Sequence, residues 1–92
     1  MSLILLPVKE NTTFEEDMEY AKHLCRIAKQ LDDKHSLTLA KKIERRQERL
    51  LRLKQGRNSR SYHNWRYEIY SVKKSFYAFM FRLKKHINDY YL

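Results

Sequence analysis

The stretch SYHNWRYEIYSVKKSFYAFMFRLKKHIND, residues 61–89, carries the strongest structural signal in this chain. No Gly or Pro interrupts it, and apolar or aromatic residues return along it at alternating steps of three and four. This spacing places them on one face of an α-helix. The positions on that face are Tyr62, Trp65, Ile69, Val72, Phe76, Phe79, Leu83, His86 and Tyr90. The stretch therefore predicts a long third helix that packs through this face.

The same helix carries more aromatic residues than one buried face can hold. A second stripe runs beside the first, and further aromatic residues lie off the main stripe. We predict that the exposed contact surface consists of Tyr67, Tyr70, Tyr77 and Phe81. At about 43 Å, against roughly 30 Å for each of the other helices, the third helix should overhang them with Ile87 and the residues that follow. An N-terminal arm, a second copy in a homodimer, or another protein could cover the surplus apolar surface.

Length and composition indicate a single helical domain. The chain has 92 residues with one Gly and one Pro, too few for the turns of a β-rich architecture. We predict an all-α fold, an antiparallel three-helix bundle with helices over about 13–33, 37–55 and 61–89. Residues 1–10 should form a short extended arm, because Pro7 cannot continue a helix.

Local signals predict where the first two helices begin and end. Thr13 and Glu16 fit a capping box. The acidic residues in the first turns of the helix are favoured there by the positive end of the helix dipole. Asp33 or Ser36 can cap the second helix, which Gly56 should end. These capping roles account for the acidic cluster without a metal or catalytic site.

The N-terminal arm and the cysteine content bear on location. Residues 3–6 are apolar but too few for a signal-peptide core or a membrane span. We expect the arm to cover the aromatic end of the third helix. Alternatively, the arm could extend to the other subunit of a homodimer. The single cysteine, Cys25, is typical of a reducing compartment, so we expect a soluble cytoplasmic protein.

Charge is the strongest compositional feature. The chain has a net charge of +9, and the excess is uneven: residues 1–33 hold four Lys/Arg against seven Asp/Glu, whereas residues 34–92 hold sixteen against four. Such a balance favours a polyanionic partner, which could be DNA or RNA, an acidic protein or an anionic membrane surface. The charge indicates partners rather than fold.

A basic ridge on the second helix is the candidate binding surface. Its cations recur at steps of four, four and three, and the following loop continues the positive charge. The predicted nucleic-acid-binding residues are Lys41, Lys42, Arg45, Arg49, Arg52, Arg57, Arg60 and Arg66. Two simpler interpretations remain open: a solvated face softened by pairing of Glu48 with Arg52, or pairing of the ridge with the acidic start of the first helix.

No residue pattern predicts catalysis or a bound cofactor. With one glycine there is no phosphate-binding loop, and the four histidines lie too far apart in sequence for a recognisable metal motif. Cys25 lies on an apolar face and suits a small core residue better than a nucleophile. We therefore predict no metal, no cofactor and no enzymatic activity.

These features lead to two hypotheses of different class. The first is a small non-enzymatic nucleic-acid-binding protein that contacts phosphates through the ridge and the loop. The second is a protein-interaction or inhibitor module that docks an acidic or nucleic-acid-binding partner through the third helix. The heptad pattern favours core positions over base stacking for Tyr62 and Trp65.

Overall fold

The computed structural model describes residues 12–57 and 61–91, and the predicted arm lies outside them. Three helices pack against one another: α1 spans Phe14–Leu31, α2 spans Lys34–Gln55 and α3 spans Tyr62–Tyr91. Within the described residues there is no strand. The all-α three-helix prediction is therefore confirmed.

The start of α1 has the predicted capping box. The Thr13 hydroxyl accepts a hydrogen bond of 3.1 Å from the backbone N–H of Glu16. In return, the Glu16 carboxylate accepts one of 3.4 Å from the backbone N–H of Thr13. This exchange satisfies two donors that a helix end leaves without partners inside the helix.

Only two residues separate α1 from α2, so α2 begins three residues before the predicted residue 37, and its cap is Asp33, one of the two predicted caps. Asp32 ends α1 in the left-handed conformation, with φ 57° and ψ 25°. Asp33 then caps α2, because its carboxylate accepts the Ser36 backbone N–H at 2.8 Å. Asp tolerates the left-handed region better than most residues, and this allows a sharp corner without glycine.

All three helices contribute to one core. Its fully enclosed large side chains are Leu24, Ile43, Leu50, Phe76, Leu83 and Ile87. Gln47 is also buried, and its side-chain amide donates a hydrogen bond of 3.0 Å to the carbonyl oxygen of Met18. Cys25 is buried as predicted, with its sulfur 3.7 Å from the carbonyl oxygen of Ala40.

The contacts between α2 and α3 follow the order expected for two helices that run in opposite directions. Near the start of α3, the Trp65 indole N–H donates a 2.7 Å hydrogen bond to the Leu53 carbonyl at the end of α2. Near the end of α3, His86 lies 3.3 Å from the carboxylate of Asp33, just before α2. α3 therefore follows α2 along its whole length.

The expected overhang at the C-terminal end of α3 is wrong for Ile87, although Tyr90 beyond it is 75% exposed. Ile87 is fully buried, because this end of α3 meets the corner between α1 and α2. At the other end, Tyr62 is 53% exposed, so its predicted core position is also wrong. The reason is that α1 begins level with the middle of α3: the ring of Phe14 packs against that of Phe76, 6.2 Å between centroids. Among the described residues, the first turns of α3 thus have only α2 beside them.

Candidate nucleic-acid interface

A groove of about 440 Å³ runs between α2 and α3 on the basic side of the bundle. Arginines of α2 form one wall, and small residues of α3 form the other. The lining residues are Arg45, Arg46, Glu48, Arg49, Arg52, Ser71, Val72 and Ser75. We call this the basic groove. The structure thus brings three of the predicted ridge arginines to one side of the molecule, facing two serine hydroxyls.

The ridge is partly paired with carboxylates. Arg49 forms an ion pair with Glu68 of α3, and Arg52 lies 3.8 Å from Glu48. The side chains of Arg49 and Arg52 are nevertheless 57% and 74% exposed. The Arg52–Glu48 pair is exposed on both sides, and exposed pairs contribute little to stability, typically about 0–1 kcal/mol, whereas the Glu68 side chain of the other pair is only 20% exposed.

The acidic start of α1 does not neutralise the ridge. Glu15 lies 3.8 Å from Lys54, and Glu19 pairs with Lys22 on its own helix at 3.1 Å. Because Arg45 has no carboxylate within ion-pair distance in the described part of the chain, the ridge keeps uncompensated positive charge.

Two cations that the sequence did not single out join this side of the molecule. Arg46 lies 4.7 Å from the centroid of the Phe79 ring, and Arg82 of α3 lies 5.6 Å from it. The predicted residue Lys42 is the third cation on the same ring, at 5.2 Å. Sequence spacing could not reveal this cluster, since its members come from two helices.

The remaining predicted site residues lie elsewhere. Lys41 is exposed on α2 and does not line the basic groove. Arg57 and Arg66 lie 5.6 and 5.7 Å from the centroid of the Tyr62 ring, and Arg66 also donates a hydrogen bond to the Tyr62 hydroxyl. Arg66 precedes Ser75 by nine positions, which places it on the opposite side of α3 from the groove. Arg60 is outside the described residues.

The four aromatic residues predicted to face outward are all exposed. Tyr67 and Phe81 are each 68% exposed, Tyr70 is 64% exposed and Tyr77 is 36% exposed. Their steps of three, seven and four place them along one stripe of α3. Tyr67 lies one turn before Ser71 on the same side of α3, whereas Tyr70, Tyr77 and Phe81 lie on a different side from Ser71 and Ser75.

Part of that stripe lines a second, larger groove between α1 and α3. This groove has a volume of about 1120 Å³, and its apolar walls include Tyr20, Tyr77, Met80 and Phe81. The Tyr77 hydroxyl donates a hydrogen bond to Asp17 of α1. Burial, together with this bond, raises the pKa of Tyr77 above its usual range, so the hydroxyl stays protonated at neutral pH.

Within the described residues, the groups considered for chemistry lie in separate places. No three metal-binding side chains converge within residues 12–57 and 61–91. Burial, together with the Glu44 carboxylate, raises the pKa of the Cys25 thiol to about 12, which disfavours the reactive thiolate. His86 is half-buried against Asp33, and its ring lies 4.5 Å from that of His35, between centroids.

Comparison of the chain with known protein families, with characterised proteins and with solved structures gave no significant match. The helices of residues 12–57 and 61–91 include no apolar segment that could span a lipid bilayer. The function is therefore inferred from the fold and the two grooves.

Proposed function

We propose that this protein is a small, non-enzymatic nucleic-acid-binding protein that holds phosphate groups of DNA or RNA along the basic groove. The observation that supports this function is the alignment of Arg45, Arg49 and Arg52 on one exposed face, opposite Ser71 and Ser75. Arginine and serine are common donors to phosphate oxygens, and such contacts position a protein without reading sequence.

The dimensions of the groove suit a short run of backbone. Between Arg45 and Arg52, which both line the groove, the helix rises about 10.5 Å. One strand of B-DNA places a phosphate at roughly every 3.4 Å of axis, so this length matches about three phosphates. The positive charge concentrated in residues 34–92, which include the basic groove, also attracts a polyanion over a longer distance.

The test is a charge-reversal variant that carries Arg45→Glu, Arg49→Glu and Arg52→Glu together. Fluorescence anisotropy with labelled 20-mers of single- and double-stranded DNA and RNA would measure affinity from 50 to 200 mM salt. Each lost phosphate contact lowers the slope of log K against log salt by about 0.9 on duplex DNA and about 0.7 on single strands. We expect the variant to bind at least tenfold more weakly at 50 mM salt, with a slope flattened by about 2.7 on duplex DNA and about 2.1 on single strands for three lost contacts.

A matched control removes the same number of positive charges from α1. Lys22, Arg26 and Lys29 are all exposed there, and none of them lines the basic groove. Changing these three to Glu should reduce affinity much less than changing the ridge. Equal losses in the two triple variants would point to net charge alone, and unchanged binding in the ridge variant would remove the assignment.

A second candidate function is protein docking through α3, which the aromatic stripe favours. Phe81 and Tyr67 are more than half exposed, and the groove between α1 and α3 offers apolar area to a partner, whether an acidic protein or a second copy of this chain. Affinity capture of partners with and without nuclease separates the two functions. Partners that survive nuclease but are lost with Phe81→Ala and Tyr67→Ala would favour docking.

A further inference from the structure

The half-buried ring of Phe79 gathers three cations from two helices. Lys42 and Arg46 approach it from α2 and Arg82 approaches it from α3, at 5.2, 4.7 and 5.6 Å from the ring centroid. One ring offers only two faces to positive charge, and the three cations repel one another. No carboxylate in the described part of the chain lies within ion-pair distance of any of them.

This cluster lies beside one end of the basic groove. Arg46 belongs to both, because it lines the groove and also lies over the Phe79 ring. Arg82 follows Ser75 by seven positions, two turns further along the same side of α3. A phosphate chain that enters at Arg52 and passes Arg45 would therefore reach Lys42, Arg46 and Arg82 next.

We propose that Lys42, Arg46 and Arg82 form a phosphate-binding cluster that receives the sugar–phosphate backbone where it crosses from α2 to α3. The proposal rests on the proposed function and extends it. The bound strand runs along the seam between the two helices rather than along the outer face of α2 alone. Because the cations already occupy the surroundings of the ring, Phe79 supports them and does not stack on a base.

The test is a double variant with Arg46→Gln and Arg82→Gln, compared with Arg46→Lys and Arg82→Lys. Glutamine keeps much of the side-chain length but removes the charge, whereas lysine keeps the charge. We expect the glutamine variant to lower the salt slope by about 1.8 on duplex DNA, for two lost contacts, and to weaken binding by at least tenfold at 0.1 M salt. The lysine variant should keep the wild-type slope.

Several outcomes would overturn the cluster. An unchanged slope in the glutamine variant, while the ridge variant loses affinity, would remove the cluster and leave the proposed function standing. If the lysine and glutamine variants lose equal amounts of oligonucleotide affinity, the arginines act through packing rather than charge. If the wild-type protein binds no oligonucleotide at all, the cluster and the proposed function fall together.

A second measurement separates a polynucleotide from a free anion. NMR would follow the side-chain N–H signals of Arg46 and Arg82 during titration with an oligonucleotide or with sodium phosphate at equal phosphate concentration and ionic strength. Shifts that saturate only with the oligonucleotide support a backbone site. Shifts that saturate equally with inorganic phosphate would assign a free-phosphate site and overturn the polynucleotide as its ligand.

Discussion

The hydroxyl of Tyr91 donates a hydrogen bond of 2.7 Å to the Oδ2 atom of Asp33, which lies 58 positions earlier in the chain. The same carboxylate accepts the backbone N–H of Ser36 at 2.8 Å and its hydroxyl at 2.7 Å. His86 approaches it from α3 as well, at 3.3 Å. One side chain thus caps α2 and ties the last turns of α3 to the corner between α1 and α2.

The acid sensitivity of the fold should depend on this carboxylate. The hydrogen bond from the Ser36 backbone, followed by those from Ser36, Tyr91 and His86, holds the pKa of Asp33 well below its usual range. A carboxylate whose pKa is lower in the folded state contributes stability above its unfolded pKa, near 4, and loses it as pH falls. We expect wild-type stability to fall below about pH 4, partly through Asp33.

The matched variants are Asp33→Asn and Asp33→Ala. Asparagine keeps an acceptor for the helix cap but carries no charge, whereas alanine removes the cap at a cost of about 1 kcal/mol or more. Urea unfolding at several pH values between 2 and 7 would measure both. The difference in stability between wild type and Asp33→Asn should shrink as pH falls from 5 to 2. A difference that stays constant across that range would contradict the role assigned to the Asp33 charge.

The left-handed conformation of Asp32 predicts a stabilising substitution. With φ 57°, this position strains any L-residue, and its negative charge lies at the C-terminal end of α1, where the helix dipole disfavours it. Asp32→Gly should raise the free energy of unfolding by about 0.5 kcal/mol, which is a rise of roughly 2–4 °C in Tm. Asp32→Asn, which removes the charge alone, serves as the control. A lower Tm for the glycine variant would show that Asp32 is held by more than its backbone conformation.

The ion pair between Arg49 and Glu68 predicts a variant with tighter nucleic-acid binding. Glu68 competes with a phosphate group for Arg49, so Glu68→Gln should strengthen binding several-fold and steepen the salt slope by up to about 0.9. Glu19→Gln makes the same charge change on α1, where Glu19 is exposed and lies outside the basic groove. If both variants bind equally more tightly, net charge rather than the release of Arg49 explains the gain.

The buried thiol of Cys25 should be almost unreactive in the folded protein. With its pKa raised to about 12, very little thiolate exists at pH 8, and the core also shields the sulfur atom. We expect a chromogenic disulfide reagent to modify Cys25 at least a hundredfold more slowly than an exposed cysteine introduced by Gln30→Cys. In denaturant the two should react alike. Comparable rates in the native protein would place the thiol within reach of solvent.

Much of the secondary structure followed from local patterns. The capping box at Thr13 and the end of α2 at Gly56 were predicted from short stretches of sequence, and the structure has both. Asp33 was one of the two predicted caps of α2, but the helix was predicted to start near residue 37 because a two-residue corner through Asp32 and Asp33 carries no glycine. A left-handed aspartate has no strong sequence signal, so the break looked longer than it is.

The candidate site was predictable only in part. Spacing along one helix placed Arg45, Arg49 and Arg52 on a common face, as the structure also has them. It could not show that Glu68 reaches Arg49, or that Arg82 approaches the ring of Phe79 beside Arg46. Each of these contacts joins residues far apart in the chain, and they depend on how two helices are placed against each other.

Three helices and a concentration of positive charge in the second half of the chain could both be inferred without coordinates. Helix signals act within a few residues, through caps and a period of 3.6, so they can be recognised without knowledge of the fold. Which end of α3 is covered and which cations converge became visible only in the packed structure. Those outcomes follow from where α1 begins alongside α3 and from the register between α2 and α3, which packing of the shared core sets.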